Sequence, residues 1–158
     1  AQGLEYRLYS ELSQAGQKGL PPAQVPAAAR VVIVDTLGAL AAVYRAAHAA
    51  YVGGSFGKGV HNTMEPACFG LPVVFGPRYL NSYEARLMIG AGGAFPVKDS
   101  GQVEKIIGRL VEDEAFCRES GEKARQVVNA NLGATARTLE ALLGRYPGLV
   151  QNGAGEKR

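Results

Sequence analysis

The sequence predicts an α/β protein, a doubly wound parallel sheet of the Rossmann-like kind, and three observations carry that prediction. Short β-branched runs alternate with longer helical patterns from Val31 onward. The runs are uniformly apolar rather than alternating, as expected of strands buried on both faces. Each is followed by a stretch long enough for a helical crossover, which parallel pairing requires. At 158 residues, 47% of them apolar, the chain suffices for one domain with a core.

"VVIV" (31–34) reads as the first strand, "LGALAAVYRAAH" (37–48) as a helix that Thr36 can cap, and "AAYV" (49–52) as the next strand. A helix follows from about Asn62 to Phe69, closed by Gly70, and "PVVF" (72–75) makes a third strand. "SYEARLMIGAG" is helical with Asn81 as its cap, and "AFPV" (94–97) is a short strand. Asp99 or Ser100 caps the helix "GQVEKIIGRLVED", and a last helical stretch runs from Glu114 to Leu143 with a break near Gly133. The stripes Leu87, Met88, Ile106, Ile107, Leu110, Leu139, Leu142 and Leu143 are expected in the core.

Residues 1–30 differ: "EYRLYSELSQAGQK" is helical or mixed, and "GLPPAQVPAAAR" is a Pro/Ala-rich connection. No initiating Met and no obvious first strand precede Val31, so the expectation is a domain cut from a longer protein. Its divisions are an incomplete start over 1–30, the domain proper over 31–147 and a disordered tail over 148–158.

The net charge of +3 is scattered among acidic residues, so nucleic acid is not expected as a partner. No apolar run of about 18 residues and no signal-peptide pattern occurs, which predicts a soluble, cytoplasmic segment. The two cysteines, Cys68 and Cys117, lack a CxxC spacing and read as reduced structural thiols. With two histidines in all, and His48 at the far end of another helix, no metal site is expected.

In a doubly wound sheet ligands sit outside the carboxyl ends of the strands, and the loops 35–38, 53–62 and 76–81 fall there. The loop "GGSFGKGVHN" brings Gly54, Ser55, Lys58 and His61 before a helix start whose amides, around Asn62 to Met64, suit a phosphate. It matches neither a Walker motif nor a GxGxxG turn. Glu65, four residues after His61, either favours the helix start or accepts hydrogen bonds from the two hydroxyls of a ribose. Asp35 and Thr36 leave a strand, and Gly38 exposes backbone that a flat base can approach, capping being the plainer reading. Arg78 is either an anion contact or a solvated side chain.

In order, "VDTLGAL", "YVGGSF", "HNTMEPACFGLPVVFGP" and "NLGATARTLEALL" resemble the carboxyl-terminal domain of the 3-deoxy-D-manno-octulosonic acid (Kdo) transferases, over about residues 31–145. The resemblance implies the donor-nucleotide-binding half of a two-domain GT-B glycosyltransferase. That enzyme transfers Kdo from CMP-Kdo to a lipid A precursor in lipopolysaccharide biosynthesis, at the cytoplasmic face of the bacterial inner membrane, without a metal or other cofactor. It implies CMP binding at Leu37, Gly38 and Ala39 and at Asn62, Thr63, Met64 and Glu65. Gly54, Ser55, Lys58 and His61 become secondary candidates around the phosphate or the sugar carboxylate. No catalytic residue is expected in this chain, because the family's carboxylate base lies on the amino-terminal domain, which also brings the lipid acceptor. The chain alone is therefore expected to be inactive. Three departures stand out: Ala39 where many members carry an acidic residue, Val60 where glycine is common, and His48 in place of a usual Asp. The competing readings are another GT-B transferase or sugar-nucleotide epimerase with a uracil nucleotide, and a noncatalytic nucleotide-binding module.

Overall fold

Val73, Val74 and Phe75 are fully buried, and the packing on their two sides defines the architecture. The computed structural model describes residues 5–12 and 30–146, with backbone alone at Ala134. Most of the Pro/Ala-rich connection and the tail assigned to 148–158 lie outside the described residues.

The elements run β1 (Tyr6–Leu8), α1 (Tyr9–Leu12), β2 (Val31–Ile33), α2 (Leu40–Ala46), β3 (Ala50–Val52), α3 (Met64–Cys68) and β4 (Val73–Phe75). They continue through α4 (Tyr83–Ala91), β5 (Ala94–Pro96), α5 (Ser100–Glu112), α6 (Glu114–Ala130) and α7 (Ala134–Arg145). β3, β4 and β5 form a parallel sheet with β4 in the middle, Val52 opposite Phe75 and Phe75 opposite Pro96. Successive residues of a strand face opposite sides, so Val73 and Phe75 enter one core while Val74 enters another. The first core gathers Ala67, Ala85, Met88, Ala124 and Val128 from α3, α4 and α6. The second gathers Leu110 and Cys117 with Val103, Ile106, Ile107 and Phe116 from α5 and the start of α6. Helices on both faces of a parallel sheet bear out the doubly wound prediction. Each fully buried aliphatic or aromatic side chain of β4 contributes about 1.5–3 kcal/mol through burial.

α6 comes close to the sheet because it carries Gly121. A Cβ there would lie 1.9 Å from the Gly70 carbonyl oxygen, so any larger residue would push the helix off the turn 70–72. The predicted break near Gly133 also holds, since Gly133 has φ 80° and separates α6 from α7.

Four expectations are corrected. A first strand does precede Val31: β1 pairs in parallel with β2, Tyr6 opposite Val31. These two strands form a separate two-stranded sheet with a small core of Tyr9, Ala39, Leu12 and Val32. β2 is therefore not the buried strand its composition suggests: Ile33 is exposed, and among the described residues β1 is the strand paired with β2. Helix starts also moved. Ser82, not Asn81, caps α4 by accepting from the Ala85 N–H at 3.1 Å, and α2 begins at Leu40 after Ala39 with no side-chain cap, so Thr36 stands outside it. Of the two caps left open for α5, Asp99 and Ser100, it is Asp99 that accepts, from Gln102 N–H at 2.9 Å. Finally, Leu139 and Leu142 are exposed on α7, whereas Met88 and Leu110 are in the core. An amphipathic period specifies a face but not whether anything covers it.

Candidate functional site

The loop after β3 and the loop after β4 are joined by hydrogen bonds at the carboxyl end of the sheet. Ser55 is fully buried, and its Oγ accepts from Gly76 N–H at 2.6 Å while its carbonyl accepts from Arg78 N–H at 2.9 Å. The Arg78 carbonyl in turn accepts from Val60 N–H at 2.9 Å, and Asn81 Nδ2 donates to the Val60 carbonyl at 3.1 Å. Ser55 is thus a clasp between the loops, with its hydroxyl turned inward. Asn81, expected to cap a helix, holds the glycine loop instead.

Gly54 shows why this loop needs glycine. Its φ is 86°, and a Cβ on it would meet the His61 ring at 2.5 Å. The Gly54 carbonyl accepts from Gly57 N–H at 2.8 Å and from Gly59 N–H at 3.3 Å. Two amides of the glycine-rich loop are therefore satisfied internally and are not available to a ligand. Its cationic side chains are Lys58, which is exposed, and, from the neighbouring loop, Arg78, whose Nη1 donates to the Gly57 carbonyl at 2.7 Å.

The segment Asn62–Glu65 follows directly. α3 is only five residues long, so its macrodipole is small and individual groups matter more than the helix. Asn62 Oδ1 accepts from Met64 N–H at 3.0 Å, which takes up one of the amides expected to hold a phosphate. Thr63 is 2% exposed, and its Oγ1 is buried with no hydrogen-bond partner. An unsatisfied buried hydroxyl costs about 1–3 kcal/mol, so such an atom marks a place where a donor or acceptor is wanted. Glu65 lies on the first turn of α3 and is exposed.

The loop after β2 approaches this segment through α2. Gly38 is in the left-handed region at φ 84°, Leu37 is fully exposed, and the Ala39 methyl is buried against the small core with Tyr9. From Ala39, α2 climbs about 8 Å to Tyr44, at 1.5 Å per residue. The Tyr44 ring packs on Phe69 at 5.8 Å between centroids, with the Arg45 guanidinium also over Phe69. Burial first, and then the negative charge of Glu65, push the Tyr44 phenol above its ordinary pKa, which places Glu65 beside α2. Leu37–Ala39 and Asn62–Glu65 thus flank neighbouring helices. Asp35 points elsewhere: its carboxylate accepts from both the Ser10 N–H and the Ser10 hydroxyl, which hold its pKa low.

Of the thiols, Cys68 is exposed and Cys117 is buried. Burial, then Glu114, raises the Cys117 pKa, and its Sγ donates to the His48 carbonyl at 3.2 Å, so it serves packing. A depression of about 480 Å³ on α5, lined by Glu104, Lys105, Arg109, Glu112 and Asp113 among others, mixes both charge signs. It lies toward the carboxyl end of that helix, away from the strand ends. No described helix is long and apolar enough to cross a membrane.

What residue spacing did not reveal is Arg78 as part of the loop assembly. The available signal was its position one residue past Gly-Pro at the carboxyl end of a strand, where side chains face the crevice.

No family model matches the chain. It is 39% identical over 114 residues to a 3-deoxy-D-manno-octulosonic acid transferase of Bordetella pertussis, a match covering 71% of this chain and 27% of that protein. It is 30% identical over 116 residues to the transferase of that name from Haemophilus influenzae, covering 72% and 27%, and 30% over 114 residues to that of Aquifex aeolicus, covering 71% and 32%. The chain thus spans between a quarter and a third of the length of these relatives. Among solved structures it resembles the C-terminal CMP-Kdo binding domain of WaaA from Acinetobacter baumannii, with a TM-score of 0.66, 24% identity, and 79% of this chain and 61% of that one covered. That likeness shows a shared fold, and the sequence matches show the resemblance first seen in the motifs.

Proposed function

This chain is a relative of the Kdo transferases, and from that premise we propose that it forms the donor-binding part of an enzyme transferring Kdo from CMP-Kdo to a lipid A precursor. The observation that carries the reading is the placement of Asn62–Glu65 at the carboxyl end of a parallel sheet, with Thr63 Oγ1 buried and unpartnered and Glu65 beside α2. In this reading Leu37, Gly38 and Ala39 present backbone to the cytosine, and Glu65 accepts from the ribose hydroxyls. Asn62, Thr63 and Met64 lie along the phosphate, and His61, Gly54 and Lys58 stand toward the sugar. Ser55 keeps the loops in place. A nucleotide with two hydroxyls and an anion suits a lysine, a wanting hydroxyl and a carboxylate, met in that order along the chain as Lys58, Thr63 and Glu65.

Departure of CMP leaves negative charge on the phosphate while the anomeric carbon gains positive charge. Fixed donors near the phosphate stabilise that charge as it develops, because they need no reorganisation during the reaction. Lys58 supplies a positive charge without a metal, and addition of a chelator should leave nucleotide affinity unchanged. In this reading the acceptor, the carboxylate that deprotonates it and the contact with the cytoplasmic face of the inner membrane are supplied by parts of the enzyme other than this chain. The chain by itself should bind donor without transferring it.

The test is titration calorimetry of the chain with CMP, CDP and UDP, repeated with Glu65→Ala. CMP preference that drops at least tenfold in Glu65→Ala, with the melting temperature maintained, supports the reading. Preference for UDP would support a uracil-dependent transferase or epimerase, and equal affinity of CMP for both variants would remove Glu65 from the site.

A further inference from the structure

We propose that Arg78, together with Lys58 across Gly57, contacts an anionic oxygen group of the donor, its sugar carboxylate or its phosphate. The inference rests on the donor-binding reading above and adds a residue to it. Four observations converge.

First, the main chain of Arg78 is fixed at the crevice. Its N–H donates to Ser55 and its carbonyl accepts from Val60, both at 2.9 Å. Val60 stands two residues before Asn62, within about 7 Å along even an extended chain. Second, the guanidinium is aimed by the loop it crosses: Nη1 spends one N–H on the Gly57 carbonyl at 2.7 Å. A guanidinium has five N–H donors, so most of the fork is left for a ligand, in a preset orientation. Third, Gly57 puts no side chain between Arg78 and Lys58, and both are exposed. The ion pairs found among the described residues, Lys123 with Glu119 and Arg125 with Glu122, involve neither cation. Fourth, the Gly54 carbonyl takes the Gly57 and Gly59 amides, which withdraws two backbone donors from a ligand and leaves more of the recognition to the two side-chain cations.

A donor of the proposed class carries a phosphate and, on the transferred sugar, a carboxylate. Planar carboxylate or phosphate oxygens match the guanidinium fork, whereas a lysine offers only a point charge. The geometry therefore assigns orientation to Arg78 and added field to Lys58.

The experiment titrates the 158-residue chain with cytidine, CMP and CMP-Kdo by calorimetry, comparing the unaltered sequence with Arg78→Gln, Arg78→Lys and Lys58→Met. Melting temperatures provide the folding check. A charge-assisted hydrogen bond predicts a loss of about 10- to 100-fold in Arg78→Gln for the ligand that carries the contacted group. Cytidine should change less than twofold, and Arg78→Lys should recover part of the loss. A loss first seen with CMP assigns the phosphate, and one seen only with CMP-Kdo assigns the carboxylate; either supports the proposal. Lys58→Met, which leaves the Arg78–Gly57 bond in place, should repeat the pattern more weakly. That variant decides the matter if Arg78→Gln proves unstable. Equal losses for cytidine and the charged ligands, or none for any of them, overturn it. A preference for UDP over CMP in the nucleotide titrations that test the donor-binding reading would instead point to failure of that reading itself.

Discussion

Replacing Thr63 by valine tests the site and the fold in one variant. The side chain keeps its shape while the hydroxyl, buried and without a hydrogen-bond partner, is lost. For an ordinary buried threonine that change breaks a hydrogen bond and destabilises by about 0.5–1.5 kcal/mol. Here no such bond is lost, and the desolvation cost of the hydroxyl, about 1–3 kcal/mol, is relieved. The expected result is thus a fold at least as stable, with up to about 2 kcal/mol gained after partial offset by local repacking. At roughly 2–4 °C per kcal/mol for a chain of this size, calorimetry should show a melting temperature unchanged or raised by several degrees. If the hydroxyl finds its partner in the donor, CMP affinity should fall about tenfold, the value of one hydrogen bond to a charged group. The melting scan is made without nucleotide and the titration with it, so the two effects separate. A destabilisation of 1 kcal/mol or more would refute the reasoning, because it would show that the hydroxyl is already bonded within the protein.

Two further outcomes follow from other parts of the fold. Gly121→Ala should lower stability by at least about 2 kcal/mol, since its Cβ would sit 1.9 Å from the Gly70 carbonyl oxygen and α6 must shift; an unchanged denaturation midpoint would contradict the close packing of α6 on that turn. Asp35 has its pKa lowered below 3.8 by the Ser10 hydrogen bonds, so its contribution is present above the ordinary carboxylate range and is lost as pH falls through its lowered value. Amide exchange around Tyr6–Ser10 should accelerate below about pH 4. Asp35→Asn should remove that acid dependence, and an identical pH profile in the variant would refute the tie.

The central strands were legible because each is a run of β-branched or aromatic residues between turn signals. "PVVF" predicted β4 and "AFPV" predicted β5 to within a residue at either end. β1 escaped notice because Tyr6–Leu8 holds only three residues, with Arg7 at its centre, and it forms only by pairing with β2. Helix caps were legible only to within adjacent polar residues: Asp99 and Ser100 stayed open until the structure gave the cap to Asp99, and at α4 the choice of Asn81 was misread. Asn81 and Ser82 are comparably favoured as N-caps, and the neighbouring loop decided between them by offering Asn81 the Val60 carbonyl. The glycine loop followed the same rule. Its glycines announce a backbone that approaches something closely, but what Gly54 approaches is the His61 ring and its own loop's amides.

By itself the sequence determined the parallel α/β class, the order of strands 31–34, 49–52, 72–75 and 94–97, and the motifs shared with the Kdo transferases, since these depend on local composition and order. Tertiary structure alone decided that the strands divide into two sheets, that Ser55 faces inward and that Thr63 keeps a buried hydroxyl without a partner. It also decided that Arg78 reaches across Gly57. The physical reason is the range of the forces. Propensity and hydrophobic period act within a few residues, whereas each of those outcomes depends on which hydrogen-bond donor or apolar surface arrives from a segment distant along the chain.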